Sequence, residues 1–184
     1  QLEAVLNKSL PDLYRQQPLF VLTKCSDGDY RSMTIPEDVG TLLNIKVLQR
    51  GKGGNIMELE INTTQGTFKV IKEYNIRLAL QPVNTLRGKS PVEVQCHDGT
   101  VQKNFSLLPS AFACFDFERD QEGNLLDIVI RGGGYGHGVG MSQYGTYGLT
   151  LMGKDWQEII EHYYPGSQLK NIYKKETKGK DAGK

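Results

Sequence analysis

What this 184-residue chain lacks narrows its function before any motif is considered. It has no Gly-x-x-x-x-Gly-Lys-Ser/Thr string, which excludes a Walker A phosphate loop. It has no Gly-x-Ser-x-Gly elbow, so a serine nucleophile of the hydrolase type has no local platform. Cysteine is scarce: Cys25, Cys96 and Cys114 are far apart, odd in number and form no Cys-x-x-Cys, which argues against a structural zinc site. The apolar run Ala111-Phe-Ala-Cys-Phe115 around Cys114 favours buried thiols over a disulfide. There is no apolar stretch of about 18 residues and no signal peptide. The net charge of +1 gives no global bias toward nucleic acid, and none is expected as a partner. The chain begins at Gln1 rather than Met, and reads as a processed or trimmed piece of a longer protein.

Glycine, by contrast, is concentrated. Nine of the 21 glycines fall between Gly132 and Gly153, interleaved with a His, a Ser, a Gln and three Tyr. A plain linker has no use for that mixture; glycine there permits positive φ and close approach of the backbone. Ile128-Val-Ile130 followed by Gly134-Tyr-Gly136-His-Gly138 superficially suits a dinucleotide fold. That fold also needs a second βα unit with a ribose-binding acid about 20 residues on, and none follows.

The rest of the chain divides by its periodicity. Leu2, Val5, Leu6, Leu10 and Leu13 predict a helix to Gln16 that Pro11 interrupts. Phe20–Leu22 predicts a short strand, and Asp27-Gly28 a turn. Asn44–Gln49, Ile56–Asn62 and Thr67–Ile71 alternate and are joined by glycine turns, an antiparallel meander. Tyr74–Leu80 predicts one or two helical turns. Two hairpins are expected, over Pro91–Phe105 and Phe112–Ile130. Beyond the glycine run, Met141–Met152 and Asp155–His162 predict helices, the second capped by Asp155 with Glu158 at the capping-box position. Leu169–Tyr173 predicts a last strand. The expected fold class is α+β: mainly antiparallel strands and hairpins, with C-terminal helices flanking the Gly-rich loop. The last 11 residues carry five Lys against Glu176 and Asp181 and predict a disordered basic tail.

His137 leads the candidates for chemistry. Set between two glycines, it could exchange a proton, hydrogen-bond a sugar hydroxyl, or simply hold the loop through backbone bonds. Ser142 and Gln143 either cap the following helix or line a cleft. Tyr135, Tyr144, Tyr147, Tyr163 and Tyr164 suit either saccharide stacking or half-buried packing. His97 and His162 stand alone, so neither a metal nor another cofactor is expected. Glycan cleavage requires an acid for the leaving oxygen. Glu37, Glu58, Glu60, Glu73, Asp116, Glu118 and Glu158 mostly read as solvated or capping residues.

Gly134-Tyr-Gly-His-Gly-Val-Gly-Met-Ser-Gln-Tyr-Gly145, with Gly148, Gly153, Trp156-Gln-Glu-Ile-Ile160 and His162-Tyr-Tyr-Pro-Gly166, closely resembles the C-terminal signature of the SpoIID/LytB family of stage II sporulation protein D and amidase-enhancer proteins. Ile76-Arg77 to Leu80 and Leu107-Leu-Pro-Ser-Ala-Phe112 resemble upstream elements of the same family, and the likeness runs from about Ile45 to Ile172. The resemblance implies extracytoplasmic work on the bacterial cell wall. Sporulation members are lytic transglycosylases acting on peptide-stripped glycan strands; amidase-enhancer members stimulate a wall amidase. It further implies that His137, Ser142, Gln143 and Tyr144 line the glycan cleft, with Met141 beneath; Tyr135, from the same run, is expected to bind substrate with them.

The family's general acid is a Glu followed by Met-Pro, ahead of an Ala-Gln-Ala-x-Ala-Arg-Thr-like helix and a Ser-Gly-Gly segment; this chain has none of these strings. Two expectations follow. Either the chain is the C-terminal portion of such a transglycosylase, which partners a missing N-terminal half and contributes part of the glycan cleft without its acid. Or it is a non-catalytic peptidoglycan-binding or amidase-enhancing module. The expected layout is residues 1–40 as helix and linker, 41–173 as the SpoIID-like domain and 174–184 as the tail.

Overall fold

The computed structural model describes residues 1–171 and 173. It forms two compact units, the first spanning Gln1–Val139 and the second beginning at Gly140. Its elements are α1 (Leu2–Gln16), β1 (Val21–Lys24), β2 (Tyr30–Arg31), β3 (Leu42–Arg50), β4 (Ile56–Thr63), β5 (Gly66–Ile71), α2 (Glu73–Ala79), β6 (Glu93–Gln95), β7 (Val101–Lys103), β8 (Ala113–Arg119), β9 (Leu125–Gly132), α3 (Gln143–Leu151) and α4 (Trp156–Tyr163). This is the α+β class that the patterning predicts. Among the described residues no helix is long and apolar enough to cross a membrane.

The first unit is built on a five-stranded antiparallel sheet in the order β2-β1-β5-β4-β3. The register sets Leu59 opposite Val70 and Ile61 opposite Phe68, with Val21 beside Val70. One face of the sheet is therefore apolar, and it joins Leu6, Leu10 and Leu13 of α1 and Ile76 and Ala79 of α2 in a single core. The alternate residues make the other face polar, where Lys69 reaches Glu58 at 3.1 Å and Lys24 reaches Glu60 at 3.5 Å. Tyr30 also donates to Glu60; burial first, and then that bond, hold its hydroxyl above the ordinary tyrosine range. The hairpins β6–β7 and β8–β9 are separate two-stranded ribbons.

Three expectations need correction. Pro11 does not interrupt α1, which runs through it without a break. An internal proline costs about 3 kcal/mol, but Leu6, Leu10 and Leu13 are buried on both sides of it and Ser9 donates to the Ala79 carbonyl at 3.1 Å, so tertiary anchoring overrides propensity. The thiols are not buried: Cys114 is exposed, and Cys25 and Cys96 are half-buried. On β8 the alternation turns Ala113 inward and Cys114 outward, whatever the apolar character of its neighbours. Leu169–Asn171 forms no strand. Ile172 and the 174–184 tail lie outside the described residues.

In the second unit, α4 carries the full capping box: Asp155 accepts from the Glu158 amide at 2.9 Å and Glu158 accepts from the Asp155 amide at 3.0 Å. A bond from Lys154, and then the Asp155 amide, hold the Glu158 carboxyl below its ordinary value. A depressed carboxyl stabilises the fold above its unfolded pKa, and that contribution is lost as pH falls through the folded value. Replacing Asp155 with alanine should cost α4 about 1 kcal/mol. Hydrogen exchange at the Ile159 and Ile160 amides, which measures local opening, should speed up about fivefold.

Candidate functional site

The first half of the glycine run is a loop pinned from three directions within the first unit. Below it lies Arg77 of α2, buried at 7% exposure. Its Nε donates to the Leu108 carbonyl at 2.8 Å and its Nη2 to the Pro109 carbonyl at 3.1 Å; Nη1 lies 3.4 Å from Glu73. The Pro109 carbonyl also accepts from the Gly136 amide at 2.9 Å, and Ser110 and Gly136 form a parallel bridge. Ser110 Oγ donates to the Gly133 carbonyl at 2.6 Å and accepts from the Phe112 amide at 3.0 Å. From the β3–β4 turn, Asn55 Nδ2 donates to the His137 carbonyl at 2.7 Å.

Two glycines in this loop are sterically required. A Cβ on Gly132 would sit 2.5 Å from the Phe112 carbonyl oxygen. Gly138 has φ +66°, and a Cβ there would lie 2.7 Å from Phe112 Cε2 and 2.8 Å from Asn55 Nδ2. The Phe112 ring packs against the loop because neither Gly54 nor Gly138 has a side chain in its way.

The pinned backbone leaves two side chains facing outward. Tyr135 is 82% exposed, its ring 6.5 Å from that of Phe105. His137 is exposed, and its Nδ1 accepts from the Val139 amide at 3.1 Å, so the backbone-holding role is present. The second unit carries the remaining candidates. Ser142 is the N-cap of α3 and accepts from the Gly145 amide at 3.0 Å, which realises the capping alternative. Met141 is exposed, and its amide donates to Tyr164 Oη at 3.4 Å. Gln143 and Tyr144 occupy the exposed first turn of α3, Tyr144 being 88% exposed. The six candidates thus divide at Val139, with Tyr135 and His137 in one unit and Met141, Ser142, Gln143 and Tyr144 in the other.

Of the carboxylates considered above, most are engaged in ion pairs: Glu37 with Arg15, Glu58 with Lys69, Glu60 with Lys24, Asp116 with Arg131 and Glu158 with Lys154. Glu73 departs from the solvated reading, since it is buried against Arg77. Among the described residues no three His, Cys, Asp or Glu side chains converge as a metal site requires. A cleft of about 210 Å³ between α1 and α2, lined in part by Phe20, Lys72 and Tyr74, involves none of the candidate residues.

Asn55 carries no functional signal in the sequence, and Phe112 stands only at the end of the string Leu107–Phe112, because the partners of both are distant along the chain. Arg77 does carry one: a cation inside the apolar string Ile76-Arg-Leu-Ala-Leu80, four residues after an acid, is the pattern of a buried helical ion pair.

Residues 14–89 match a protein family described as a domain of unknown function, DUF8618. The chain is 43% identical over 54 residues to stage II sporulation protein D of Bacillus subtilis (strain 168), and 45% identical over 54 residues to the protein of that name in Bacillus amyloliquefaciens. Each match takes in 29% of this chain and 15% of the relative. Amidase enhancer of Bacillus subtilis is 50% identical over 41 residues, which is 22% of this chain and 6% of that protein. No solved structure matches. Over that part of its length the chain is a homologue of the SpoIID/LytB proteins. What it matches is a small fraction of each of them.

Proposed function

We propose that this chain is part of a bacterial cell-wall protein of SpoIID type and that its glycine loop binds peptidoglycan glycan strands outside the cytoplasm. The observation that carries the reading is the loop of residues 132–138, whose backbone is pinned by Ser110, Pro109 and Asn55 while Tyr135 and His137 stand exposed. An exposed aromatic side chain and an exposed imidazole on one pinned backbone suit a saccharide, which offers apolar ring faces and hydroxyl or carbonyl oxygens, and on a peptide-stripped wall strand a lactyl carboxylate as well. Met141, Ser142, Gln143 and Tyr144 are read as glycan contacts of the second unit in their own right.

The chain carries no Glu-Met-Pro string, so we assign it glycan binding without the proton donor that transglycosylase cleavage needs. The name amidase enhancer supports a second reading, a module that binds the wall and stimulates an amidase.

Peptide-stripped glycan strands, with intact peptidoglycan as control, test this directly. Retention on stripped strands without anhydro-sugar products is expected. Release of anhydro products would show that the chain has its own acid, and absence of retention would remove the glycan reading. Stimulation of a wall amidase without any retention would favour the second reading. His137→Ala should weaken retention about fivefold to tenfold, the scale of one lost hydrogen bond, with little change in Tm, because the side chain is exposed. A collapse in stability with unchanged retention would make His137 structural.

A further inference from the structure

The environment of His137 fixes which of its nitrogens can meet a ligand. A backbone amide can only donate, so Nδ1, which accepts from the Val139 amide at 3.1 Å, must present its lone pair. In the neutral ring the proton then sits on Nε2. Among the described residues Nε2 has no hydrogen-bond partner, and the side chain is exposed.

The peptide that follows is held just as closely. Asn55 is only 3% exposed, and its Nδ2 donates to the His137 carbonyl at 2.7 Å. The turn bearing Asn55 is braced by its own backbone, with the Gly51 amide donating to the Asn55 carbonyl at 2.8 Å and the Gly54 amide to the Gly51 carbonyl at 2.9 Å. Gly138, bare of a side chain, lets Asn55 close on the loop. The grip on the His137–Gly138 peptide sets the course of the chain to Val139, and so aims the Val139 amide back at the imidazole.

We propose that Asn55 is a positioning residue that, through the His137 carbonyl and the Val139 amide, locks His137 in the Nε2–H tautomer, so that the loop presents a neutral donor to an acceptor oxygen of its ligand. The ligand part of this rests on the glycan reading above. In an N-acetylated wall glycan the matching group is an acetamido carbonyl, a hydroxyl or an ether oxygen, or, where the stem peptide has been removed, the lactyl carboxylate. The same tautomer has no lone pair at Nε2, which removes His137 from the role of general base at that atom.

Two measurements on the full chain test this. Long-range proton–nitrogen correlation spectra of the nitrogen-15-labelled protein, at a pH where the ring is neutral, should show His137 protonated at Nε2 and bare at Nδ1. Asn55→Asp, which keeps the shape but removes the donor, should produce a mixture of tautomers. An Nδ1-protonated ring in the unsubstituted protein, or an Asn55→Asp spectrum identical to it, would overturn the proposal. The second measurement is retention on stripped strands by two variants. A Gln amide can reach the place of Nε2 and an Asn amide that of Nδ1, so His137→Gln should lose about threefold and His137→Asn about tenfold, the range of one hydrogen bond. The reverse order would mean that the Val139 bond, not the outward donor, is what the site needs, and would overturn it too. Should the unsubstituted chain not bind glycan at all, the glycan reading fails alone, and the two spectra still decide the tautomer lock.

Discussion

Gly138→Ala should abolish measurable retention on stripped glycan strands and lower Tm by roughly 10 °C. Two effects add at this position. With φ at +66°, an L-residue there costs about 1–2 kcal/mol. The new methyl would also lie 2.7 Å from the Phe112 ring and 2.8 Å from Asn55 Nδ2. The ring cannot simply withdraw, since it also packs at 3.4 Å from the Cβ position of Gly54. Overpacking of this kind costs about 1–3 kcal/mol. Any relaxation that relieves the clash must pull Asn55 away from the His137 carbonyl, so binding should suffer beyond the loss of stability. Gly133→Ala is the internal control. A Cβ there meets nothing within 4 Å, and the Gly133 amide keeps its bond to the Phe112 carbonyl. It should leave Tm and retention close to those of the unsubstituted protein. If Gly138→Ala behaves like Gly133→Ala, the loop is not held as described.

How much of this was legible in the sequence depends on how local the signal is. The β3–β5 meander shows in the alternation of Met57, Leu59 and Ile61 with Glu58, Glu60 and Asn62, because a half-buried strand writes its two faces into successive residues. The α4 cap shows because Asp155 and Glu158 satisfy each other's neighbouring amides within one turn. Pro11 misleads, since what keeps α1 continuous is the core it packs on and not its own propensities. Cys114 misleads for a related reason: apolar neighbours raise the expected burial of a residue, but a two-stranded ribbon sorts them by parity.

The candidate site divides along the same line. Tyr135, His137 and Ser142 are legible from the glycine run. What holds the first unit's loop is less so: Asn55 and His137 are 82 positions apart, and Arg77 signals its ion pair with Glu73 but not its reach to Pro109, 32 positions on. Folding brings them together through the pairing of β4 with its neighbours and the seating of α2 on the sheet, neither of which a local window contains.

Arg77→Met carries the largest expected loss of stability, about 3–5 kcal/mol, the cost of leaving a buried charge without its partner. Arg77 and Glu73 are 7% and 8% exposed, so water cannot substitute for either. Removing the guanidinium strands the Glu73 carboxylate and takes the donor from the Leu108 carbonyl, while the Pro109 carbonyl keeps only the Gly136 amide. Urea unfolding should show the midpoint falling, and adding Glu73→Gln to Arg77→Met should recover a substantial part of it, because the pair's cost lies in the orphaned charge. The functional consequence separates this from a generic core defect. Arg77 shares the Pro109 carbonyl with Gly136, so in the double variant the exchange of the Gly136 amide should remain faster than in the unsubstituted protein even where global stability has returned, and glycan retention should remain reduced with it. Full recovery of retention along with stability would mean that Arg77 supports the fold alone and does not order the loop. Persistent loss would show that a charge buried in α2 is retained for the direction in which it points two carbonyls, not for any net contribution of the ion pair to folding.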